Sequence, residues 1–164
     1  MFQRLLVAID DSPSSPVALS YTCALARPAG ASVHVIHVNL FQVGGRGFTE
    51  LTATEATELV DDAVGQLRDQ GIDAAGSVAR ATCFSLGQII ADAAQVLQSD
   101  VIVVGSRRRA RMPRLVGRGA REQITSHSTL PVLTAPAPLD VPAGHRRRLG
   151  SARVPSRRQP TPVR

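Results

Sequence analysis

Seven arginines follow a short apolar run in the second half of the sequence. The run is VIVVG at 101–105, and residues 106–121 read SRRRARMPRLVGRGAR. Guanidinium groups are planar donors that bind phosphate or carboxylate groups with paired hydrogen bonds. A segment this positive beside a helix start is where an anion is expected to bind. The question is therefore whether this segment holds a nucleotide. The arginines are Arg107, Arg108, Arg109, Arg111, Arg114, Arg118 and Arg121.

A pair of carboxylates follows the first apolar run of the chain. Asp10 and Asp11 come directly after RLLVAI at 4–9. At the end of a strand, the Asp10 carboxylate is suited to contact a ribose, a base amine or a metal ion. Asp also commonly begins a turn or caps a helix. Both interpretations of Asp10 stay open from the sequence.

These residues must be positioned by alternating strands and helices. Apolar runs predict strands at 4–9, 32–38, 74–80, 100–104 and 131–135, and helical periodicity predicts four helices between them. Strict alternation predicts parallel strands joined by right-handed crossovers, which gives a three-layer α/β sandwich. Ligands of such sheets bind beyond the carboxyl ends of the strands. If the first and fourth strands are neighbours, Asp10 and Gly105 face one crevice.

The helix ends carry recognisable signals. Ser15 and Pro16 predict the start of the first helix, with Gly30 at its end. Its sheet-facing side is predicted to contain Val17, Tyr21, Ala24 and Leu25. Ser85 and Gln88 have the spacing of a capping box for the third helix.

The net charge of +6 lies at the carboxyl-terminal end of the sequence. Residues 1–136 hold twelve Arg against twelve acidic residues, whereas 137–164 hold seven Arg against Asp140. Six of the eleven prolines also follow residue 135. A composition so poor in aliphatic residues cannot bury enough apolar surface to fold. We therefore expect one domain at 1–135 and a disordered basic tail at 136–164.

Nothing in the sequence predicts export or a membrane anchor. The amino-terminal apolar run is too short for a signal peptide, and no apolar stretch reaches membrane-spanning length. Cys23 and Cys83 have no metal-ligand spacing and form no disulfide framework. The tail arginines lack interleaved aromatic residues, so no specific nucleic-acid contact is expected. We expect a cytoplasmic protein.

Four ordered motifs resemble the universal stress proteins. They are VAIDDSPSS at 7–15, HV at 37–38, DVIVVGSRRR at 100–109 and EQITSHSTLPVLTA at 122–135. The resemblance covers residues 4–135. It implies a Rossmann-like five-stranded parallel sheet in the order 3-2-1-4-5 and frequent homodimers that pair through the last strand. In one branch of the family it also implies bound ATP, with a divalent cation.

The nucleotide-binding branch carries the motif G-x2-G-x9-G-[ST] after the fourth strand. Aligning the terminal His and Pro of the family with His127 and Pro131 places the motif on Gly105, Arg108, Arg118 and Gly119, so one motif residue of four is kept. Arg weakens a backbone phosphate cradle because it adds bulk, yet it adds attraction for the phosphate. Two interpretations stay open, a retained ATP site and a solvated basic rim with no cofactor. The resemblance implies the cofactor-contacting set Asp10, Val38, Gly105, Ser106, Arg108, Arg118 and Gly119.

Catalytic residues are not evident from the sequence. Ser85 and Ser106 have no recognisable His partner, and His34 and His37 lie three apart on a strand, so they face opposite sides. We expect a regulatory or protective binding module of the stress response. A nucleotide-independent homodimeric scaffold is the alternative, and a weak ATP hydrolase ranks third.

Overall fold

The computed structural model describes residues 2–41, 51–106 and 119–136. Strands and helices alternate along them, as predicted. The strands are β1 (Arg4–Ile9), β2 (Ser32–Leu40), β3 (Ala74–Ala81), β4 (Val101–Val104) and β5 (Val132–Thr134). The helices are α1 (Ser14–Ala29), α2 (Ala53–Asp69), α3 (Leu86–Val96) and α4 (Ala120–His127).

The strands form one parallel sheet in the order β3-β2-β1-β4-β5. This confirms the predicted fold class and strand order. β1 lies at the centre and pairs with both β2 and β4. Because the strands are parallel, their carboxyl ends meet at one side of the sheet, which we call the carboxyl edge. The opposite side is the amino edge.

Two apolar cores cover the two faces of the sheet. Alternate residues of β1 supply both, since Leu5 and Val7 lie in one core and Leu6 lies in the other. α1 and α2 pack on the Leu5 side, and α3 and α4 on the Leu6 side. Strands that are apolar on both faces are typical of parallel sheets covered by helices.

The first helix ends at Gly30 as predicted, but it differs from its prediction at its start and in part of its buried face. α1 begins at Ser14 with Pro13 as N-cap, so Ser15 is not the cap, and it continues through Pro28 to a left-handed Gly30 with φ of +60°. The predicted sheet-facing side was only partly right, because Val17 and Leu25 pack against the core, whereas Tyr21 and Ala24 are exposed. The buried residues are Ser15, Ala18, Leu19, Thr22 and Ala26. The small residues Ala18, Thr22 and Ala26 let α1 approach the sheet closely, which an apolar pattern alone does not reveal.

A capping box is found at the second helix, where none was predicted, and not at the third helix, where one was predicted. α2 carries a complete capping box, in which Thr52 and Glu55 bond each other's backbone amides. The box predicted at Ser85 is absent, because the Ser85 hydroxyl accepts a bond from the Thr82 amide and Gln88 bonds Asp92. The side chain of Ser85 is therefore used in the turn before α3.

Three sequence predictions lie outside the described residues. They concern the glycine-rich connection at 42–50, the arginine-rich segment at 107–118 and the tail at 137–164. The boundary between a domain at 1–135 and a tail at 136–164 stays a prediction.

Candidate functional site

The carboxyl edge brings the ends of β1 and β4 side by side. The two strands pair in parallel from Leu5 with Val101 to Ala8 with Val104. Asp10 follows β1, and Gly105 with Ser106 follows β4, so these three predicted site residues meet at the same edge. The residues predicted to form the two walls of the crevice, Asp10 and Gly105, therefore follow neighbouring strands.

Hydroxyl groups of the following turn orient the Asp10 carboxylate. The Ser12 hydroxyl donates to Asp10 Oδ1, and the Ser15 hydroxyl lies 3.0 Å from the same oxygen. Ser15 Oγ also lies 2.6 Å from the Asp10 carbonyl oxygen and accepts a bond from the Asp10 amide at 2.9 Å. The hydroxyl contacts gather on Oδ1, while Asp10 as a residue is exposed. Asp10 Oδ2 therefore remains for an outside donor.

A third serine links this turn to the end of β4. The Ser14 hydroxyl donates to the Ser106 carbonyl oxygen at 2.7 Å. A Cβ on Gly105 would lie 2.8 Å from the Ser14 Cβ and 3.2 Å from the Ser14 carbonyl oxygen. Contact with the first turn of α1 therefore requires glycine at 105 whether or not a phosphate binds there. The one motif glycine kept after β4 has a packing role of its own.

Two buried polar side-chain atoms at the carboxyl edge have no hydrogen-bond partner within the part of the chain that the structure describes. They are the Ser106 hydroxyl oxygen and His37 Nε2. The other ring nitrogen of His37 lies 3.0 Å from the Ile9 carbonyl oxygen, and His37 is only 5% exposed. Such atoms are rare in folded proteins because an unpaired buried polar group costs about 1 to 3 kcal/mol. Their concentration at one edge indicates a place where a polar ligand gains hydrogen bonds.

Val38 presents its main chain to this edge. Its side chain is 8% exposed and packs in the core beneath α3. The Ser32 amide bonds Gln3 of β1, and the Val33 amide bonds Asp73 before β3. Strand alternation therefore directs the peptide groups of Val38 towards β1. Pairing with β1 ends at His37, so the Val38 carbonyl group extends past the last paired residue.

The start of α4 supplies main-chain donors. Gly119 is the N-cap, in an extended conformation, and no side chain of the described residues caps this helix end. A Cβ added to Gly119 would meet nothing within 4 Å. The first amides of a helix have no partner within it and attract anions. Gly119 thus differs from Gly105, since open space rather than packing surrounds it.

Two predicted site residues, Arg108 and Arg118, lie outside the described residues. Within residues 2–41, 51–106 and 119–136, no group of three or more His, Cys, Asp and Glu is arranged to hold a metal ion. His34 and His37 have separate partners, and burial lowers the pKa of His34, which bonds Ser77.

A shallow concavity lies elsewhere, on the outer side of α4. It is lined by Arg121, Glu122, Thr125 and Ser126 and includes none of the predicted site residues. Its lining carries no buried polar group, so we do not regard it as the functional site.

A model of the universal stress protein family matches residues 1–136. The chain belongs to this family. No curated protein sequence matches it. The match includes the residues of both cores. The family assignment comes from the sequence, whereas the fold is seen in the structure.

Solved structures of universal stress proteins superimpose on this family member. One from Burkholderia pseudomallei is 22% identical, with a TM-score of 0.63, covering 82% of this chain and 96% of that one. One from Archaeoglobus fulgidus in complex with dAMP is 22% identical, with a TM-score of 0.60, covering 80% and 96%. One from Arabidopsis thaliana with AMP bound is 15% identical, with a TM-score of 0.58, covering 84% and 94%. These similarities establish the common fold.

Sequence reasoning missed the serines and the histidine of this universal stress protein site. Ser12 and Ser14 were noted only as part of a family motif, Ser15 also as a helix start, and His37 as part of a motif and as a residue unable to form a metal pair. The signal for the serines is their density directly after a strand-end Asp, since short hydroxyl side chains bond nearby carboxylates and backbone. No helix of the described residues is long and apolar enough to cross a membrane.

Proposed function

We propose that this universal stress protein is a regulatory and protective binding module whose carboxyl edge binds an adenine nucleotide. The observation that carries the proposal is the Ser14 hydroxyl bond to the Ser106 carbonyl oxygen, which ties the turn after Asp10 to the end of β4 beside a buried Ser106 hydroxyl that lacks a partner among the described residues. Complexes of two structural neighbours with dAMP and AMP support the choice of an adenine nucleotide. The family membership supports a role in stress responses.

Asp10 and Val38 recognise the nucleoside in this proposal. Asp10 Oδ2 accepts hydrogen bonds from ribose hydroxyls, and its orientation is set in advance because hydroxyl contacts hold Oδ1. The Val38 carbonyl, directed towards the end of β1, accepts a bond from the exocyclic amine of adenine. A hydrogen bond to a charged acceptor contributes about 1.5 to 3 kcal/mol, so Asp10 supplies the largest single contact.

The phosphates lie between the end of β4 and the start of α4. The Ser106 hydroxyl gains a partner there, the amides after Gly119 supply donors, and Gly105 shapes the turn. Arg108 and Arg118 stand at two motif positions where the family resemblance places glycine, and they contribute charge in place of a close backbone approach. The largest adenine nucleotide that we propose for this site is ATP with a divalent cation, and the cation would be bound by the phosphate groups.

A cytoplasmic location completes the proposal. It is supported by the two cysteines, Cys23 and Cys83, which are both free thiols. Free thiols persist in a reducing compartment.

Calorimetric titration with AMP and ATP tests the binding proposal. Asp10→Ala should weaken binding about 100-fold, since it removes a charge-assisted contact worth about 2.7 kcal/mol. Asp11→Ala is the matched control, because Asp11 is also exposed and lies next in the chain. Flat titrations of the unaltered protein, or equal losses in both variants, would contradict the proposal.

A homodimeric scaffold is the second candidate function. β5 occupies one end of the described sheet order, so its outer side pairs with no described strand. The Ala135 amide bonds Val104, so alternation directs the Thr134 amide outward. The scaffold predicts a dimer that survives nucleotide removal and is weakened by Thr134→Pro, which deletes that donor. Sedimentation of a monomer at micromolar concentration would count against it.

A further inference from the structure

α4 packs mainly against α3, and it contributes a single fully buried side chain to the core. Among its eight residues only Ile124 is fully buried, and the outward-facing residues Arg121, Glu122, Thr125 and Ser126 are exposed. One apolar anchor holds a helix against a core but does not fix how far it slides along its axis. A second set of contacts is therefore needed to define the position of its first turn.

Gln123 supplies these contacts to the start of α3. Its Nε2 donates to the Cys83 carbonyl oxygen at 3.1 Å, and its Oε1 accepts from the Gly87 amide at 3.4 Å. One side chain thus engages main-chain groups on both sides of the turn that begins α3. Because these partners belong to the backbone, they cannot move without moving the turn.

Gly87 lets the two helices approach closely. A Cβ added to Gly87 would lie 2.5 Å from the carbonyl carbon and the Cβ of Gln123, and 2.7 Å from the Gln123 carbonyl oxygen. Carbon atoms pack at about 3.5 to 4.0 Å, so α4 would have to move by roughly 1 Å. Gly87 and Gln123 together define one axial position of α4.

We propose that Gly87 and Gln123 form a lock that positions the first turn of α4, and thereby sets the affinity for the phosphate of a bound nucleotide without touching it. The Gln123 amide bonds the Gly119 carbonyl oxygen, so the lock lies one helical turn from the N-cap. Hydrogen bonds from the first amides weaken steeply with distance, so a small displacement loses phosphate contacts. This inference rests on the proposed function and assigns Gly87 and Gln123 as positioning residues.

The test compares AMP with adenosine, which lacks the phosphate. In Gly87→Ala the affinity for AMP should fall about 10-fold, while the affinity for adenosine stays unchanged. Gln123→Met, which keeps the length of the side chain without its hydrogen bonds, should act in the same direction. Gly65→Ala in α2 is the control, because a Cβ there meets nothing within 4 Å.

Amide hydrogen exchange of residues 120–127 provides a readout that does not depend on ligand. Exchange should accelerate in Gly87→Ala and Gln123→Met but not in α1. Unchanged exchange in α4, or an equal loss of AMP and adenosine binding, overturns the lock. If the unaltered protein binds neither AMP nor adenosine, the proposed function and the affinity claim are both overturned. This outcome differs from failure of the lock alone, because it is seen before any substitution is made.

Discussion

Two aspartates, one at each edge of the sheet, show how differently the same side chain is used. At the amino edge, Asp100 Oδ2 accepts the Gln3 amide at 2.6 Å and the Arg4 amide at 2.8 Å. The Asp100 amide in turn bonds the Arg4 carbonyl oxygen. At the carboxyl edge, Asp10 contacts hydroxyl groups through Oδ1 and remains exposed.

The difference separates a structural carboxylate from a candidate ligand-binding one. Asp100 ties the start of β1 to the start of β4 through main-chain donors. Asp10 is oriented by serine hydroxyls, and buried polar atoms without partners, Ser106 Oγ and His37 Nε2, lie at its edge. Among the described residues, buried side-chain atoms without a hydrogen-bond partner occur at the carboxyl edge and not at the amino edge, which supports the carboxyl edge as the candidate binding site.

Replacing each aspartate by an uncharged residue should affect different properties, AMP affinity for Asp10 and the free energy of unfolding for Asp100. The loss of AMP affinity is the largest effect we expect. Asp10→Ala should weaken AMP binding about 100-fold with little change in stability. Asp100→Asn should leave AMP binding within about twofold and lower the free energy of unfolding by about 1 kcal/mol, after allowing for solvent screening. Calorimetry and urea unfolding measure the two quantities. Similar behaviour of the two variants would remove the distinction between the edges.

The two glycines of the candidate site extend the same contrast. Gly105→Ala should lower the free energy of unfolding by about 2 kcal/mol, because its Cβ meets Ser14 at 2.8 Å. Gly119→Ala should have a smaller effect, about 0.5 kcal/mol, because no described atom lies within 4 Å of the added Cβ and the remaining cost is that Ala is a poorer N-cap than Gly. Urea unfolding in the absence of nucleotide provides the measurement. A neutral Gly105→Ala would mean that α1 yields readily and that packing does not explain this glycine.

The fold was predictable because its signals are local and redundant. Apolar runs in β1 and β4, the Gly30 stop and the order of the elements each favour a parallel sheet. The contrast between the two edges was not predictable in this way. Asp10 and Asp100 both flank apolar strands. The amides of Gln3 and Arg4 are far from Asp100 in the chain, and nothing in the sequence shows that they bond Asp100 rather than Asp10.

The candidate site was predictable in position rather than in detail. Topology alone brings Asp10, Gly105 and Ser106 to one edge. The Ser14 bond to Ser106 and the Gly87 contact with Gln123 depend on how closely helices approach strands and each other. Such distances are set by three-dimensional packing, which residue types and spacing do not specify.

Acid should reduce the contribution of Asp100 to stability. Hydrogen bonds from the Gln3 and Arg4 amides lower the pKa of Asp100 below its ordinary value of 3.8. Its contribution is therefore complete above that value and is lost as the pH falls through the lower folded-state pKa. The stability difference between the unaltered protein and Asp100→Asn should stay constant at neutral pH and shrink as the pH falls below 3.8.

The effect of Asp100 is measured as a stability difference between the unaltered protein and Asp100→Asn, because other groups also change the stability in acid. The pKa of Glu55 is lowered by its bonds to Thr52, and burial lowers the pKa of His34. Both groups also favour the folded state less as the pH falls, and subtracting the Asp100→Asn curve removes their effect. A stability difference that is independent of pH would show that the loss in Asp100→Asn does not come from the negative charge of the carboxylate.

The smallest expected effect concerns the link between the two walls of the crevice. Ser14→Ala removes the bond to the Ser106 carbonyl oxygen and should cost about 0.5 to 1 kcal/mol of stability. It should weaken AMP binding severalfold, because the Ser106 turn loses its support while Asp10 keeps the hydroxyl contacts from Ser12 and Ser15. Ser20→Ala is the control, since the Ser20 hydroxyl bonds only within α1. If AMP binding is unchanged in Ser14→Ala, the bond joins α1 to β4 without shaping the site, and the carboxyl edge is held in place by Gly105 packing alone.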